Sequence, residues 1–537
     1  MTTLKKSLTL LSAAALVSLT ACGGQASSSP ADAADGQPVS GGTLKFAVGS
    51  DAGCIDPQQV GSNDSIYSTR QLVDSLTDQD PETGEIVPWL ATDWDINDDV
   101  TEFTFTLQPD ATFSNGDPVD AAAVAANFDA GPELGPRATL VVGYLEDYVE
   151  TEIHDDQTFT VKFSEPNAQF LQATSTHSLG ILHPDTVAQS DDERCAAIIG
   201  SGPFVLDSYT PNDSVILTGR EDYNWGSSLW ENQSAPHVDG IGFEVVPESG
   251  VRAGSLQSGQ VDVIGNIAPQ DVDGLEAANA QLLDQVNPGI PMGLRVNHEN
   301  EFLQDPAVRE AISLGINRED IANTVYPDGT PAATSVLSST TPDHVDLSDK
   351  LAYDPEKAQQ ILSEAGFEPG DDGVLERDGQ RAEFDLLWFN VAATNAAAVE
   401  LIQQQLDEIG ISIALEEGQT ADWNTRLLEG SYDLNWFNTT RADGDILRGS
   451  FHSQLANTSH VADSPVDDVL QEQSATLDPE ERAALLAQAQ EELLDERLAI
   501  PVVDLITVVA ARDGVHGVRF DSGARVHLND VWIADGA

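Results

Sequence analysis

In residues 433–448, DLNWFNTTRADGDILR, the short loop 441–445 just past the aromatic pair Trp436 and Phe437 carries two acids, Asp443 and Asp445, and one base, Arg441. Acids at that spacing beside a guanidinium suit proton transfer, a metal site, a clamp for a charged ligand, or only a solvated turn. The calcium reading is thin, because ADGDI lacks the third acid and the distal glutamate of such loops. Nucleophile and metal motifs are missing elsewhere: the chain has no G-x-S-x-G elbow, no P-loop, no H-E-x-x-H and no C-x-x-C. His298, His344, His452 and His460 share no metal-ligand spacing. Carboxylates are so abundant that any pair chosen for acid–base catalysis would be a chance hit. No enzyme, no resident metal and no cofactor is therefore expected, and the four readings of the loop wait on its place in the chain.

That chain has 537 residues, with 90 Asp+Glu against 24 Lys+Arg and a formal net charge of −66. Its length calls for two or more lobes, and 40% hydrophobic residues suffice to fill their cores. A field of that sign repels phosphate backbones, which excludes a nucleic-acid partner. It suits a salty or acidic habitat as well as it suits any cationic solute.

The first residues read as an address. Lys5 and Lys6 precede an apolar stretch, Leu8 to Leu19, that is too short for a hydrocarbon core of ~30 Å, so 1–21 reads as a signal peptide. Leu19-Thr20-Ala21-Cys22 resembles the lipobox of bacterial lipoproteins, which makes Cys22 the expected site of acylation and the cell membrane's outer face the expected location. Residues 22–41, rich in Ser, Ala, Gly, Pro and Asp, read as a flexible tether. Cys54 and Cys195 remain, and outside the cytoplasm an even pair is more often bridged than free.

From about 42 onward strands alternate with helices. TLKFAV (43–48), TEFTFTL (101–107) and TFTVKF (158–163) show the two-residue period of strands. DPVDAAAVAANF reads as a helix capped by Asp117 with Pro118 at its first position, and DPEKAQQILSEAGF repeats the device with Asp354, Pro355 and a stop at Gly366. Val399, Ile402, Leu406 and Ile409 form a helical stripe; after Gly410, Ile411, Ile413 and Leu415 switch to strand alternation. The pattern argues for mixed α/β lobes with parallel pairing.

Several stretches, in this order, resemble the bacterial extracellular solute-binding proteins of the oligopeptide/dipeptide/nickel-binding kind. They are GGTLKFAVGSDAGCIDPQQ (41–59), LVDSLTDQDPETGEIVPWLATDWDINDD (72–99), FTLQPDATFSNGDPVDAAAVAANF (105–128), GSGPFVLDSYTPNDSVIL (200–217), LQSGQVDVI (256–264), VREAISLGINREDI (308–321), YDPEKAQQILSEAGF (353–367) and GVHGVRFDSGARVHLNDVWI (514–533). The resemblance implies an α/β, two-lobed clamp of the periplasmic-binding-protein kind. Lobe I would take 42–290 and 500–537, with a subdomain inserted near 80–200; lobe II would take 291–499. Two hinge segments would lie near 293–298 and 499–505.

The resemblance further implies a monomer that captures a peptide or other small polar solute and serves membrane permease subunits of an ATP-driven importer. Asp443 would meet a ligand ammonium, with Asp445 the competing choice, and Arg441 would hold that acid or take a ligand carboxylate. Trp436 and Asn438 on the preceding strand, and Trp388 and Asn390 in LLWFNVAATN, would wall the pocket, with Ser50 and Asp51 at its rim. The nickel branch's metal contacts find no residue-by-residue match here, so no metal ligand is assigned; a nickel or metal-chelate binder, a secreted peptide hydrolase, and a lipoprotein sensor or adhesin with the same clamp stay as the alternative readings.

Overall fold

Alternation in TLKFAV becomes the strand Thr43–Val48, whose Leu44, Phe46 and Val48 are buried. The computed structural model describes residues 37–534 apart from 390–391, 393, 419–422, 456 and 463. The signal segment, Cys22, most of the tether and Asn390 lie outside the described residues. No helix among the described residues is long and apolar enough to cross a membrane.

Thr43–Val48 lies inside a seven-stranded sheet, parallel to Gly240–Val245 and Val263–Ile264. Outward from these, Ser214–Gly219 and Phe204–Thr210 extend one side, and Ile506–Ala511 and Gln281–Val286 the other, all antiparallel. Phe46 anchors this lobe, stacked between Tyr67 at 5.2 Å and Phe243 at 5.3 Å. A second sheet of five strands runs Ser412–Glu417, Glu383–Trp388, Leu434–Thr440, Gly289–Val296, Ala499–Val503. Gly289–Val296 is buried along its whole length, as a central strand covered on both faces must be.

Inserted in sequence between Thr43–Val48 and Phe204–Thr210 of the first sheet, a four-stranded antiparallel sheet (Ala91–Ile96, Glu102–Leu107, Thr158–Phe163, Tyr148–Ile153) carries its own aromatic core around Phe103, Phe105, Phe163 and Phe170. That core starts at Leu76 and is completed by Tyr223, Trp225 and Trp230, which reach back from the first lobe.

The chain passes between the two large sheets twice. One crossing is Asn287-Pro288, between Gln281–Val286 and Gly289–Val296; the other is Asp504-Leu505, between Ala499–Val503 and Ile506–Ala511. Asn287 binds them together, donating its backbone N–H to the Leu505 carbonyl (2.7 Å) and accepting the Thr507 hydroxyl on its side-chain oxygen (2.7 Å). The first crossing thus lies upstream of 293–298, where Gly293, Leu294 and Arg295 are paired on both sides.

Asp354 caps its helix as its sequence predicts, accepting the Lys357 N–H at 2.9 Å, with Pro355 opening Pro355–Glu364 and Gly366 at φ +89 ending it. The earlier helix differs. Asp120, not Asp117, caps Ala121–Ala130, while Asp117 closes a turn with Asn115 and faces His183 at 3.1 Å. Both aspartates precede the apolar run, and the first turn starts at the later one because Asp117-Pro118 is held in a bridge with Thr112–Phe113. Cys54 and Cys195 form a disulfide within the first lobe.

Candidate functional site

The 441–445 loop begins at the first crossing. Leu434–Thr440 ends opposite Gly289, and the Arg441 N–H donates to the Pro288 carbonyl at 3.1 Å. Gly289 has φ +105, and a Cβ there would sit 2.2 Å from the Thr439 carbonyl, so this close approach requires glycine. After the loop the chain turns into a short helix, Ile446–Phe451.

Each acid of the loop already has a base. Asp443 takes a two-point contact from Arg482 (3.0 and 2.6 Å), on the helix Pro479–Asp495, and accepts the Asp445 N–H at 2.8 Å. Burial alone would raise the Asp443 pKa, but the Arg482 charge and hydrogen bonds outweigh it and hold the carboxyl below its ordinary range. Asp445 pairs with Arg448 (2.9 and 3.3 Å) and accepts from the Gln473 amide. Asp443 is therefore not a bare acid in an open cleft: it is 7% exposed and neutralised within its own lobe.

Arg441 is the charge left over. Its guanidinium lies over the Tyr144 ring at 4.3 Å and donates to the Gln169 side-chain oxygen at 2.8 Å, both on the inserted subdomain. Among the described residues Arg441 forms no ion pair, and its buried Nε has no partner. Three more polar contacts cross the same seam: Arg448 to Glu146 (3.3 Å), the Gln79 amide to the Ala442 carbonyl (3.3 Å), and the Ala168 N–H to the Ser474 carbonyl (2.9 Å). Asp78, Gln169 and Gln172 each keep one buried polar atom without a partner. The two halves thus meet through a polar seam with spare hydrogen-bonding capacity, which suits a polar solute better than a permanent interface.

The expected aromatic walls belong to the core of the second lobe instead. Trp436 and Trp388 pack in one cluster, and the Trp436 indole N–H donates to Asn395 at 3.3 Å. Phe437 faces the other side of the strand beneath the Arg295 guanidinium, 3.9 Å away. Asn438 is half-buried on the same strand. Ser50 and Asp51 are engaged inside the first lobe: Ser50 donates to Asp64 (2.9 Å), and Asp51 accepts from the Tyr209 hydroxyl (2.7 Å) and the Asn212 N–H (2.8 Å).

Sequence reasoning missed Tyr144, Gln169, Arg482 and a further buried arginine, Arg525, in the closing loop of the first lobe. One usable signal was scarcity: with so few bases in so acidic a chain, an arginine held indoors has a specific task. A pocket of ≈ 320 Å³ opens at the far end of the second sheet, lined by Asn297, Glu299, Asp385, Glu416 and Asp433 among others. It sits away from both crossings and is not the interlobe seam. Among the described residues no group of three or more His, Cys, Asp or Glu side chains could hold a metal ion.

The family model of the bacterial extracellular solute-binding proteins, family 5 Middle, matches residues 85–459. The "Nickel-binding periplasmic protein" of Escherichia coli K12 is 25% identical over 486 residues, covering 86% of this chain and 91% of its own. The "Dipeptide-binding protein" of the same strain is 24% identical over 488 residues, covering 84% and 87%. Among solved structures, the dipeptide-binding protein from Pseudoalteromonas sp. SM9913 in complex with Met-Leu superposes with a TM-score of 0.78 at 18% identity, over 92% of this chain and all (100%) of the other. That last likeness is one of fold.

Proposed function

Because the chain belongs to the bacterial extracellular solute-binding proteins of family 5, we propose that it captures a peptide or similarly small polar solute outside the cytoplasm and delivers it to the permease of an ATP-driven importer. It binds and releases its solute as a monomer, without turnover. The observation that carries this reading is the seam itself: two lobes linked by the crossings at 287–288 and 504–505, and meeting through Arg441, Gln169, Gln79 and the Arg448–Glu146 pair. These contacts are largely buried, but each replaces hydrogen bonds to water that its groups make when the lobes part, so the net gain is small, open and closed forms lie near balance, and a modest preference of the solute for one shifts the population.

Within the seam Arg441 is the group offered to the solute, while Asp443 and Asp445 hold the loop in shape through Arg482 and Arg448. Mass spectrometry of what co-purifies with the secreted protein names the ligand class, and calorimetry with the identified compound tests it. Small-angle scattering is expected to show a smaller radius of gyration on adding that compound to stripped protein. An unchanged radius at calorimetric saturation sinks the closing clamp.

Anchoring through Cys22 completes the reading. Cys22→Ser is expected to release the protein into the medium or periplasm and to abolish labelling by radioactive palmitate, with the binding constant unchanged. Continued labelling of the variant would remove the anchor from the proposal.

A further inference from the structure

Four consecutive hydroxyl residues, Ser338, Ser339, Thr340 and Thr341, lie against both crossings at once. At the first crossing, Ser338 donates its N–H to the Gly289 carbonyl (2.7 Å), Thr341 accepts the Gly289 N–H on its hydroxyl oxygen (2.8 Å), and the Thr340 hydroxyl donates to the Val286 carbonyl (3.0 Å). At the second, Ser339 donates both its N–H (3.0 Å) and its hydroxyl (2.6 Å) to one carboxylate oxygen of Asp504. Gly289 opens a strand of the second lobe, whereas Val286 closes a strand of the first. The segment is therefore tied to the second lobe and reaches across the crossing to the first.

Its footing is firm. Gln490, fully buried on the helix Pro479–Asp495, accepts the Ser335 hydroxyl (2.9 Å) and the Val345 N–H (3.1 Å) and donates to the Asp343 carbonyl (2.8 Å), on both flanks of 338–341. Arg482, about two turns earlier on the same helix, holds Asp443 and with it the loop at the seam. One helix thus supports both the grip on the crossings and the loop that meets the inserted subdomain.

Asp504 has few other partners. It is 1% exposed, makes no ion pair within 4.0 Å among the described residues, and its second carboxylate oxygen has no partner. Its own N–H is tied to the Pro331 carbonyl at 3.0 Å. Burial pushes its pKa above the ordinary range, and the Ser339 hydroxyl is the largest influence against that rise. A buried carboxylate short of donors is unfavourable until water reaches it, and turning the chain at a crossing lets water in.

We propose that 338–341 is a hinge clasp: its bonds to Val286 and Asp504 are made while the lobes are together and given up when they part. Ser339, Thr340 and Asp504 are then positioning residues, which set the balance of closed and open forms through the crossings and not through contact with the solute. The inference rests on the closing-clamp reading and adds to it what fixes the resting position of the clamp.

The test reads lobe opening in the full mature protein, stripped of solute by unfolding and refolding. The Ala168 N–H of the inserted subdomain donates to the Ser474 carbonyl of the second lobe at 2.9 Å, so its hydrogen–deuterium exchange reports parting of the seam. Leu294, buried in the middle of the second sheet, reports unfolding instead. Ser339→Ala is expected to speed exchange at Ala168 on the order of 10-fold, since it leaves the buried Asp504 carboxylate with one donor. Thr340→Val should speed it about 2- to 3-fold, because the bond it removes is exposed. Residues 339 and 340 are themselves exposed, so exchange at Leu294 and the melting temperature should stay at the parent values. Ser339→Thr and Thr340→Ser keep the hydroxyls and should exchange like the parent.

Parent-like exchange at Ala168 in Ser339→Ala overturns the clasp. So does equal acceleration at Ala168 and Leu294, because that is a general loss of stability, and so does failure of both hydroxyl-keeping variants to restore the parent rate. A mixture of di- and tripeptides separates this result from the proposed function, since it is expected to slow Ala168 exchange in the parent and in Ser339→Ala alike. If Ser339→Ala opens faster but the mixture slows neither protein, the clasp stands and the peptide reading falls. If the mixture slows both and Ser339→Ala opens no faster than the parent, solute capture stands and the clasp falls.

Discussion

Asp443→Asn is expected to destabilise the second lobe by about 3–5 kcal/mol, because it strips Arg482 of its counter-charge inside the protein. Arg482 keeps only Gln473 as a neutral partner, at 3.3 and 3.2 Å, and its side chain is 15% exposed, so water cannot replace the lost carboxylate fully. Removing both partners should be far milder: Asp443→Asn with Arg482→Met leaves no uncompensated charge and should recover most of the loss. Asp445→Asn should cost less, about 2 kcal/mol, since Arg448 retains Glu146 at 3.3 Å.

The pH dependence follows from the depressed Asp443 pKa. Its contribution is fully present above the unfolded value of ~3.9 and is lost as pH falls through the lower folded value. The gap in urea midpoint between parent and Asp443→Asn should therefore be constant from about pH 5 to 8 and close below about pH 4. Equal midpoints at pH 7 would show that the ion pair is silent, leaving Asp443 free to serve a ligand directly.

That expectation reverses the sequence reading, in which Asp443 was a solvated acid awaiting an ammonium, and the reason is one of range. Signals between near neighbours were legible: the Asp354 cap reaches Lys357, the Thr43–Val48 alternation concerns adjacent residues, and Gly366 and Gly410 each end their own helix. The collinear resemblance carried the two-lobed fold as well. What decides the site comes from far away in sequence. Arg441 meets Gln169 across 272 positions and Arg448 meets Glu146 across 302, and no periodicity encodes such pairs. Even Asp443 and Arg482 are 39 apart.

The tryptophans failed for a different cause. Strand alternation says that Trp436 and Phe437 face opposite ways, but on a strand covered on both faces it cannot say which side is solvent. Here neither is, since Trp436 enters one core and Phe437 another. An aromatic pair before a polar loop marks a central strand at least as well as it marks a pocket.

Replacing Cys54 and Cys195 together by alanine is expected to cost up to about 5 kcal/mol, the chain-entropy value for a loop of this length. The bridge joins residues 141 positions apart, and the loop includes the whole inserted sheet. The folded protein should barely notice the loss, because other contacts hold the same two segments together. The Ile55 N–H donates to the Cys195 carbonyl at 3.1 Å, the Gln59 amide to the Asp191 carbonyl at 3.1 Å, and Arg194 pairs with Asp56 at 2.8 Å in full burial. The effect should therefore fall on the unfolded chain, which gains the freedom the bridge denied it. Two signatures follow. The urea midpoint drops while m rises, since the uncrosslinked chain exposes more surface. Solute affinity at 25 °C stays at the parent value, since the bridge lies in the first lobe away from the 441–445 loop. A thiol count under denaturing, non-reducing conditions should find neither Cys54 nor Cys195 free in the secreted parent. Two free thiols, or a double variant with the parent's midpoint, would show that Arg194, Asp56 and their neighbours hold this corner without the bridge.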